Sequence, residues 1–148
     1  MAEILRTALT TWTGDLKNGS GVTSGESGYL HDVKITWSAR FENHPGTNPE
    51  ELIAAAAASC YSMALASNLT RQNTPPEVIN TKATLTMRRD ESGTKLTRLH
   101  LDVEARVPGI DAAAFQAIAE KTKDGCPISV LLKPGLEELT VSAKLLGR

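Results

Sequence analysis

Two cysteines, Cys60 and Cys126, are the residues of this 148-residue chain with the most distinctive chemistry. Cys60 stands in a run of small residues, and Cys126 stands between Gly125 and Pro127. In a reducing compartment two cysteines seldom form a structural bridge, and two alone are too few for a disulfide scaffold or a zinc site. If these cysteines have a function, thiol reactivity is the expected reason.

The local sequence around each cysteine suggests a different reactivity. A free cysteine inside a helix of small residues is by default a buried, inert hydrophobic residue, which is one interpretation of Cys60. Cys126 precedes a proline where a short helix is expected to begin, and the N–H groups and dipole of a helix start favour a thiolate. The residues alone favour Cys126 as the more acidic thiol, and they leave open whether the pair is a peroxidase-type couple or two core residues.

Other kinds of active site receive little support. The three histidines, His31, His44 and His100, have loop or polar-strand surroundings, so they are predicted to lie at solvated surface positions. No Ser/His/Asp order, phosphate-binding glycine loop or metal-ligand cluster is recognisable. Hydrolases and nucleotide-binding proteins are therefore weak hypotheses, and neither a cofactor nor a metal is expected.

Charge and length limit the class of protein. The 16 basic and 17 acidic residues leave a net charge of −1 and are spread along the chain, so neither nucleic acid nor a membrane is an expected partner. No apolar run is predicted to span a membrane, and no apolar segment follows a basic flank at the start. We expect one cytoplasmic domain over residues 1–148.

A long central helix is predicted over residues 48–70, which are rich in alanine and lack internal glycine. Asn48 can cap this helix, Pro49 suits its first position, and Glu51 stands where a capping box requires it. Because alanine leaves the helix thin on every side, we expect it to pack closely against other elements, with Cys60 at its middle.

The remaining patterns predict an α+β fold. The Gly/Ser-rich residues 14–28 are predicted to form a mobile hairpin or loop, and Asp111 is predicted to cap a second helix at Ala112–Lys123. Cys126 and Pro127 open a short helical piece. Period-two alternation predicts strands over residues 3–12, 33–41, 79–89, 95–107 and 139–145. Strands and helices at unequal intervals favour α+β over a doubly wound sheet.

Two segments, TNPEELIAAAAASCYSMAL at residues 47–65 and VPGIDAAAFQAIAEKTKDGCPIS at residues 107–129, closely resemble the OsmC/Ohr family of thiol peroxidases. Together with SARFENHPGTNPEEL and the spacing of the cysteines, the resemblance covers nearly the whole chain. The residues Cys126-Pro127-Ile128-Ser129 look like the OsmC branch. The resemblance implies antiparallel sheets wrapped around long central helices in an intertwined homodimer.

The resemblance also implies a role for each of four residues. Cys60 would be the peroxidatic cysteine and Cys126 the resolving cysteine, which reverses the local ranking. Arg40 would activate the thiolate, and Glu50 would hold the arginine. These residue types suit the roles, because an arginine keeps its charge and a carboxylate can fix a guanidinium through paired hydrogen bonds.

The implied activity is the reduction of organic, and less efficiently inorganic, hydroperoxides in oxidative or osmotic stress. Cys60 would become a sulfenic acid and then a disulfide with Cys126, which an external dithiol would reduce. The alternatives are a redox sensor or binding module without turnover, and a structural domain with inert cysteines.

The positions of Glu50 and Cys60 suggest a site shared between subunits. The two residues are ten positions apart on one predicted helix, a rise of roughly 15 Å, which is too far for both to meet one arginine comfortably. An antiparallel helix of a second subunit would remove the difficulty. The hypothesis is a homodimer in which Cys60 of one subunit meets Glu50, with Arg40, of the other, while an arrangement within one subunit stays open.

Overall fold

The computed structural model describes residues 2–42 and 44–147 of the chain. Its elements, in chain order, are β1 (Ala8–Thr13), β2 (Ser20–Gly25), β3 (Val33–Ile35), α1 (Trp37–Phe41), α2 (Pro49–Arg71), β4 (Val78–Asp90), β5 (Gly93–Arg106), α3 (Ala112–Gly125), α4 (Pro127–Leu132) and β6 (Glu138–Leu145). The α+β class is confirmed.

The chain divides into two compact units, residues 1–52 and 53–148, and each is described by itself. A single domain over the whole chain stays a prediction.

The first unit contains an antiparallel sheet in the order β1-β2-β3. The hairpin predicted at residues 14–28 is confirmed in part, because residues 20–25 form β2 and pair antiparallel with β1. Gly21 makes this pairing possible, because a Cβ there would lie 2.9 Å from a ring atom of Trp12 on the neighbouring strand. A glycine that suggests a loop in the sequence therefore serves close packing inside a strand.

The predicted strand over residues 33–41 is wrong after Ile35, because Trp37–Phe41 form the short helix α1. The Thr36 hydroxyl accepts a hydrogen bond from the backbone N–H of Ala39 at 3.0 Å and so caps the helix. Over only five positions, the apolar pattern fits a strand or a helix, and the Thr36 cap favours the helix here. Arg40 consequently lies on a helix.

Helix α2 begins as predicted. The Asn48 side chain accepts a hydrogen bond from the Glu51 backbone N–H at 2.8 Å, and Pro49 is the first helical residue. Before the helix, Gly46 has φ +134° and approaches α1 so closely that a Cβ there would lie 3.1 Å from the Ala39 Cβ. The caps and this glycine define the turn that joins α1 to α2.

Helix α2 also corrects the prediction about membrane-spanning runs. With 23 residues and a mean hydropathy of 1.4 in its best window, it is long and apolar enough to cross a membrane. Composition alone does not separate such a segment from the core helix of a soluble protein. A cytoplasmic location stays a prediction.

The second unit contains a sheet in the order β4-β5-β6. Strands β4 and β5 form the predicted antiparallel hairpin around the turn at Asp90–Gly93. Strand β6 runs parallel to β5, so this sheet is mixed and not wholly antiparallel as the resemblance implied. The reason is the connection, because the chain returns through α3 and α4 and parallel neighbours need such a crossover.

The core of the second unit joins helices α2 and α3 to strand β5. Every fourth residue of one face of α2 is buried, namely Ala57, Tyr61, Leu65 and Leu69. The Tyr61 hydroxyl donates to the Ala119 carbonyl of α3 at 2.9 Å. Helix α3 begins at the predicted cap, where Asp111 accepts from the Ala114 N–H. This packing fixes the middle of α2, and with it the position of Cys60.

Candidate active site

The structure brings the two cysteines together. Both are free thiols, and the Cys126 Sγ lies 3.1 Å from the Cys60 Sγ although the residues are 66 positions apart in sequence. A disulfide bond is about 2.05 Å long, so about 1 Å of approach would join the two sulfurs. The two sulfurs are therefore close neighbours, as a pair that forms a disulfide must be.

The two sulfurs differ in access. Cys60 immediately precedes the buried Tyr61 on α2 and is partly exposed, whereas Cys126 is wholly buried. Cys126 lies at the junction of α3 and α4, where its N–H donates to the Thr122 carbonyl at 2.8 Å and Pro127 begins α4. The interpretation of Cys60 as the buried thiol is therefore wrong, and Cys60 is the thiol that a reagent can reach.

The start of α4 acts on Cys60. Burial raises the pKa of the Cys60 thiol, and the adjacent Cys126 raises it further, through a side-chain hydrogen bond and then through charge. The backbone N–H of Ile128 donates to the Cys60 sulfur and lowers the pKa. Cys126 caps α4 without any side-chain cap hydrogen bond. The sequence predicted that the start of α4 would act on Cys126, but its N–H group donates to Cys60 instead.

Ile128 is the contact that sequence reasoning missed. Its signal was Pro127, which has no N–H, so Ile128 carries the first amide donor of α4. Among the described residues of the second unit, no charged side chain shifts the pKa of Cys60. A thiol with a raised pKa is mostly protonated at neutral pH, so fast reaction would require an added cation.

Arg40 and Glu50 are also brought together, within the first unit. The Arg40 Nε lies 3.1 Å from both carboxylate oxygens of Glu50, and Nη2 lies 2.6 Å from Oε1. The Arg40 side chain is 36% exposed and that of Glu50 is 13% exposed. Glu50 lies in the first turn of α2, where the helix dipole favours a carboxylate. Two of the three guanidinium nitrogens are committed to Glu50, and Nη1 takes no part in this pairing.

Arg40 borders an apolar cavity of about 370 Å³ in the first unit. The apolar lining residues are Trp12, Leu16, Ile35, Trp37, Phe41, Pro49 and Leu52. The guanidinium carbon of Arg40 lies 5.1 Å from the centre of the Phe41 ring. A cavity of this size, with aromatic walls beside one fixed cation, suits a small apolar molecule that carries a polar end.

The histidines lie where the sequence predicted. His31 and His44 are exposed, and His100 is partly exposed with its Nδ1 2.7 Å from the Thr140 hydroxyl. Within residues 2–42 and 44–147, no group of three His, Cys, Asp or Glu side chains is placed to hold a metal ion. The histidines do not contribute to the cysteine pair or to the Arg40 pair.

Comparison with known proteins identifies the family. The model of the OsmC-like protein family matches residues 41–138. The peroxiredoxin OsmC of Escherichia coli K12 is 43% identical over 134 residues, which are 90% of this chain and 92% of that protein. The peroxiredoxin OsmC of Shigella flexneri gives the same figures.

Solved structures agree with this match. The organic hydroperoxide resistance protein OhrB of Bacillus subtilis superposes with a TM-score of 0.72 at 26% identity, over 93% of this chain and 98% of that one. An OsmC-like protein of Mycoplasma pneumoniae reaches a TM-score of 0.76 at 11% identity, over 99% and 100% of the two chains, which shows the shared fold. Because the family model spans more than half of the sequence and the Escherichia coli relative nearly all of it, this chain belongs to the OsmC family.

Proposed function

We propose that this OsmC-family protein, a cysteine-based peroxidase, reduces organic hydroperoxides to alcohols with Cys60 as nucleophile and Cys126 as resolving cysteine. The observation that carries the proposal is the pair of free thiols 3.1 Å apart, one partly exposed and one buried. The peroxiredoxin and hydroperoxide-resistance names of the relatives support the same chemistry.

The reaction has two steps on the protein. The Cys60 thiolate attacks the terminal peroxide oxygen, the O–O bond breaks, and the leaving alkoxide takes a proton to become the alcohol. The sulfur of Cys126 then attacks the Cys60 sulfenic acid, the S–O bond breaks, and hydroxide leaves with the Cys126 proton as water. An external dithiol reduces the disulfide and restores both thiols.

Arg40 supplies the cation that Cys60 lacks. The raised pKa of the thiol leaves it mostly protonated, and a guanidinium near the sulfur would favour the thiolate and polarise the peroxide. Glu50 holds the guanidinium by its Nε and Nη2 groups, which leaves Nη1 available to a substrate oxygen. The apolar cavity beside Arg40 would receive an alkyl or aryl group, which favours organic hydroperoxides over hydrogen peroxide.

The active site is shared in a homodimer. Glu50 lies in the first turn of α2 and Cys60 lies ten residues later on the same helix, a rise of roughly 15 Å. An arginine bonded to Glu50 therefore reaches the Cys60 of a second subunit whose α2 runs antiparallel, and each site takes its thiols from one chain and its Arg40–Glu50 pair from the other.

The test compares three proteins with cumene hydroperoxide and a dithiol reductant. Cys60→Ser should lower turnover by at least about a thousandfold, because it removes the nucleophile. Without the dithiol, Cys126→Ser should still consume one equivalent of peroxide and should accumulate a sulfenic acid that dimedone traps, as measured by intact mass.

Full activity of Cys60→Ser would disprove the assignment of the nucleophile. A wild-type protein that forms the disulfide once, and that the dithiol does not return to the reduced form, would be a redox sensor instead of a peroxidase.

A further inference from the structure

Ser129 has an unusual environment beside the cysteine pair. Ser129 is 1% exposed, and its hydroxyl has no hydrogen-bond partner among the described residues. A buried hydroxyl without a partner is unfavourable, whereas an alanine in its place would be neutral or stabilising. We therefore expect the Ser129 hydroxyl to have a hydrogen-bond partner in another state of the protein.

The position of Ser129 points to that partner. Cys126 is the N-cap of α4 and Ser129 is its third residue, and side chains at these two positions of a helix start are neighbours. The usual donors to an N-cap side chain are the N–H groups of the second and third residues. Here the N–H of Ile128, the second residue, is directed to Cys60, and Cys126 makes no side-chain cap hydrogen bond.

Cys126 needs a donor only during the resolving step. As a thiol it donates to the Cys60 sulfur at 3.1 Å. When it attacks the oxidised Cys60 it loses its proton, and a wholly buried thiolate without a donor is strongly disfavoured. Because Ser129 is the third residue of the helix that Cys126 caps and its hydroxyl is uncommitted, a rotation about its Cα–Cβ bond is the movement that could direct this O–H to the sulfur.

We propose that Ser129 is a positioning residue for the resolving step, in which its hydroxyl donates to the Cys126 sulfur as that sulfur becomes a thiolate. In the reaction the S–S bond forms, the S–O bond of the sulfenic acid breaks, and water leaves with the Cys126 proton. Ser129 keeps its own proton throughout. This role rests on the proposed function only for the identity of the oxidant, because any oxidised form of Cys60 must be resolved by the same attack.

The experiment separates the two chemical steps in reduced protein. Cumene hydroperoxide is added in one equivalent, and its loss is followed beside disulfide formation, measured by quenched alkylation and intact mass. Ser129→Ala should consume peroxide at the wild-type rate but form the disulfide about tenfold more slowly, as loss of one hydrogen bond to a charged group predicts. Its sulfenic acid should accumulate as a dimedone adduct, and Ser129→Thr, which keeps the hydroxyl, should restore the rate.

Ser59→Ala is the matched control. Ser59 adjoins Cys60, but its hydroxyl already donates to the Ala55 and Ala56 carbonyls at 2.9 and 3.1 Å. It should leave both steps unchanged. Thermal unfolding of reduced Ser129→Ala should show a midpoint equal to or above that of the wild type, since the alanine leaves no unpartnered hydroxyl.

A second arm replaces the peroxide with dithiodipyridine. The first thiopyridone released reports attack by Cys60, and the second reports attack by Cys126 on the mixed disulfide. Ser129→Ala should slow only the second release. Equal second-release rates in Ser129→Ala and wild type, or equal slowing of both releases, would overturn the role of Ser129. Failure of the wild type to consume peroxide, with normal thiopyridone release, would instead overturn the proposed function.

Discussion

The guanidinium of Arg40 and the carboxylate of Glu50 meet with two nitrogens and two oxygens in contact, which fixes the direction of the third nitrogen. A lysine would keep the positive charge but would lose this fixed orientation, because an ammonium group has no planar fork. Under the proposed function the orientation matters, because this cation must meet both a sulfur and a peroxide oxygen. The charge and the geometry of Arg40 can therefore be separated by substitution.

Arg40→Lys should lower the rate constant for the reaction of Cys60 with cumene hydroperoxide by about a hundredfold, the order of loss seen when one oriented donor is removed. Its free energy of unfolding should change by less than about 1 kcal/mol, because the pair is partly exposed. Single-turnover peroxide loss and urea unfolding measure the two effects.

Arg88→Lys is the control for this substitution. Arg88 makes a comparable two-nitrogen contact with Glu137, at 3.1 and 2.9 Å, in the second unit. It should leave the peroxide reaction unchanged. Equal losses in the two variants would mean that Arg40 has only a structural effect.

At the scale of elements, the junction of α1 and α2 places the Arg40–Glu50 pair. Asn48 serves both helices, because its side chain accepts from the Glu51 N–H at 2.8 Å and donates to the Ala39 carbonyl of α1 at 3.4 Å. Glu50 lies in the turn that this cap stabilises. Loss of the cap should therefore affect both stability and the orientation of Arg40.

Asn48→Ala should lower the free energy of unfolding by about 1 kcal/mol, as loss of an N-cap usually does. Because the first turn of α2 would fray at Glu50, the peroxide reaction should also slow severalfold. Asp111→Ala removes an equivalent cap from α3, where the Ala114 N–H donates to Asp111 at 2.8 Å. It should lower stability by a similar amount and leave the reaction unchanged, and an equal effect of both variants on the reaction would contradict the role of the junction.

At the scale of the whole molecule, the proposal requires a second copy of the chain. The two cysteines are in contact within one chain, and so are Arg40 and Glu50. In any oligomer, both members of a pair therefore come from the same subunit. Mixing experiments can therefore distinguish a shared site from one contained within a single subunit.

Co-expression of Cys60→Ser with Glu50→Gln subunits should restore about half of the wild-type activity in the mixed dimer, although each variant alone is impaired. One of the two sites then contains Cys60 from one subunit and Glu50 from the other. Mixed Cys60→Ser and Cys126→Ser subunits should form no disulfide between the two chains, because the thiol pair belongs to one chain. No recovery in the first mixture, or full activity of a monomer isolated at low concentration, would exclude the shared site.

The sequence by itself determined the elements whose signals are local. The start of α2 followed from Asn48 and Pro49, and the β4–β5 hairpin from its alternation around Asp90–Gly93, because caps and turns are hydrogen bonds between residues close in the chain. The family motifs added the prediction of four site residues. Local signals were ambiguous at Trp37–Phe41, where alternation and a helix cap competed.

Only the tertiary structure decided which cysteine is accessible and which amide it meets. Cys60 and Cys126 are 66 residues apart, and their 3.1 Å contact arises from the packing of α2, α3 and β5. That packing also buries Cys126 and directs the first N–H of α4 to Cys60. It leaves the Ser129 hydroxyl without a hydrogen-bond partner among the described residues. Access and desolvation depend on residues distant in sequence, so no pattern local to either cysteine could have specified them.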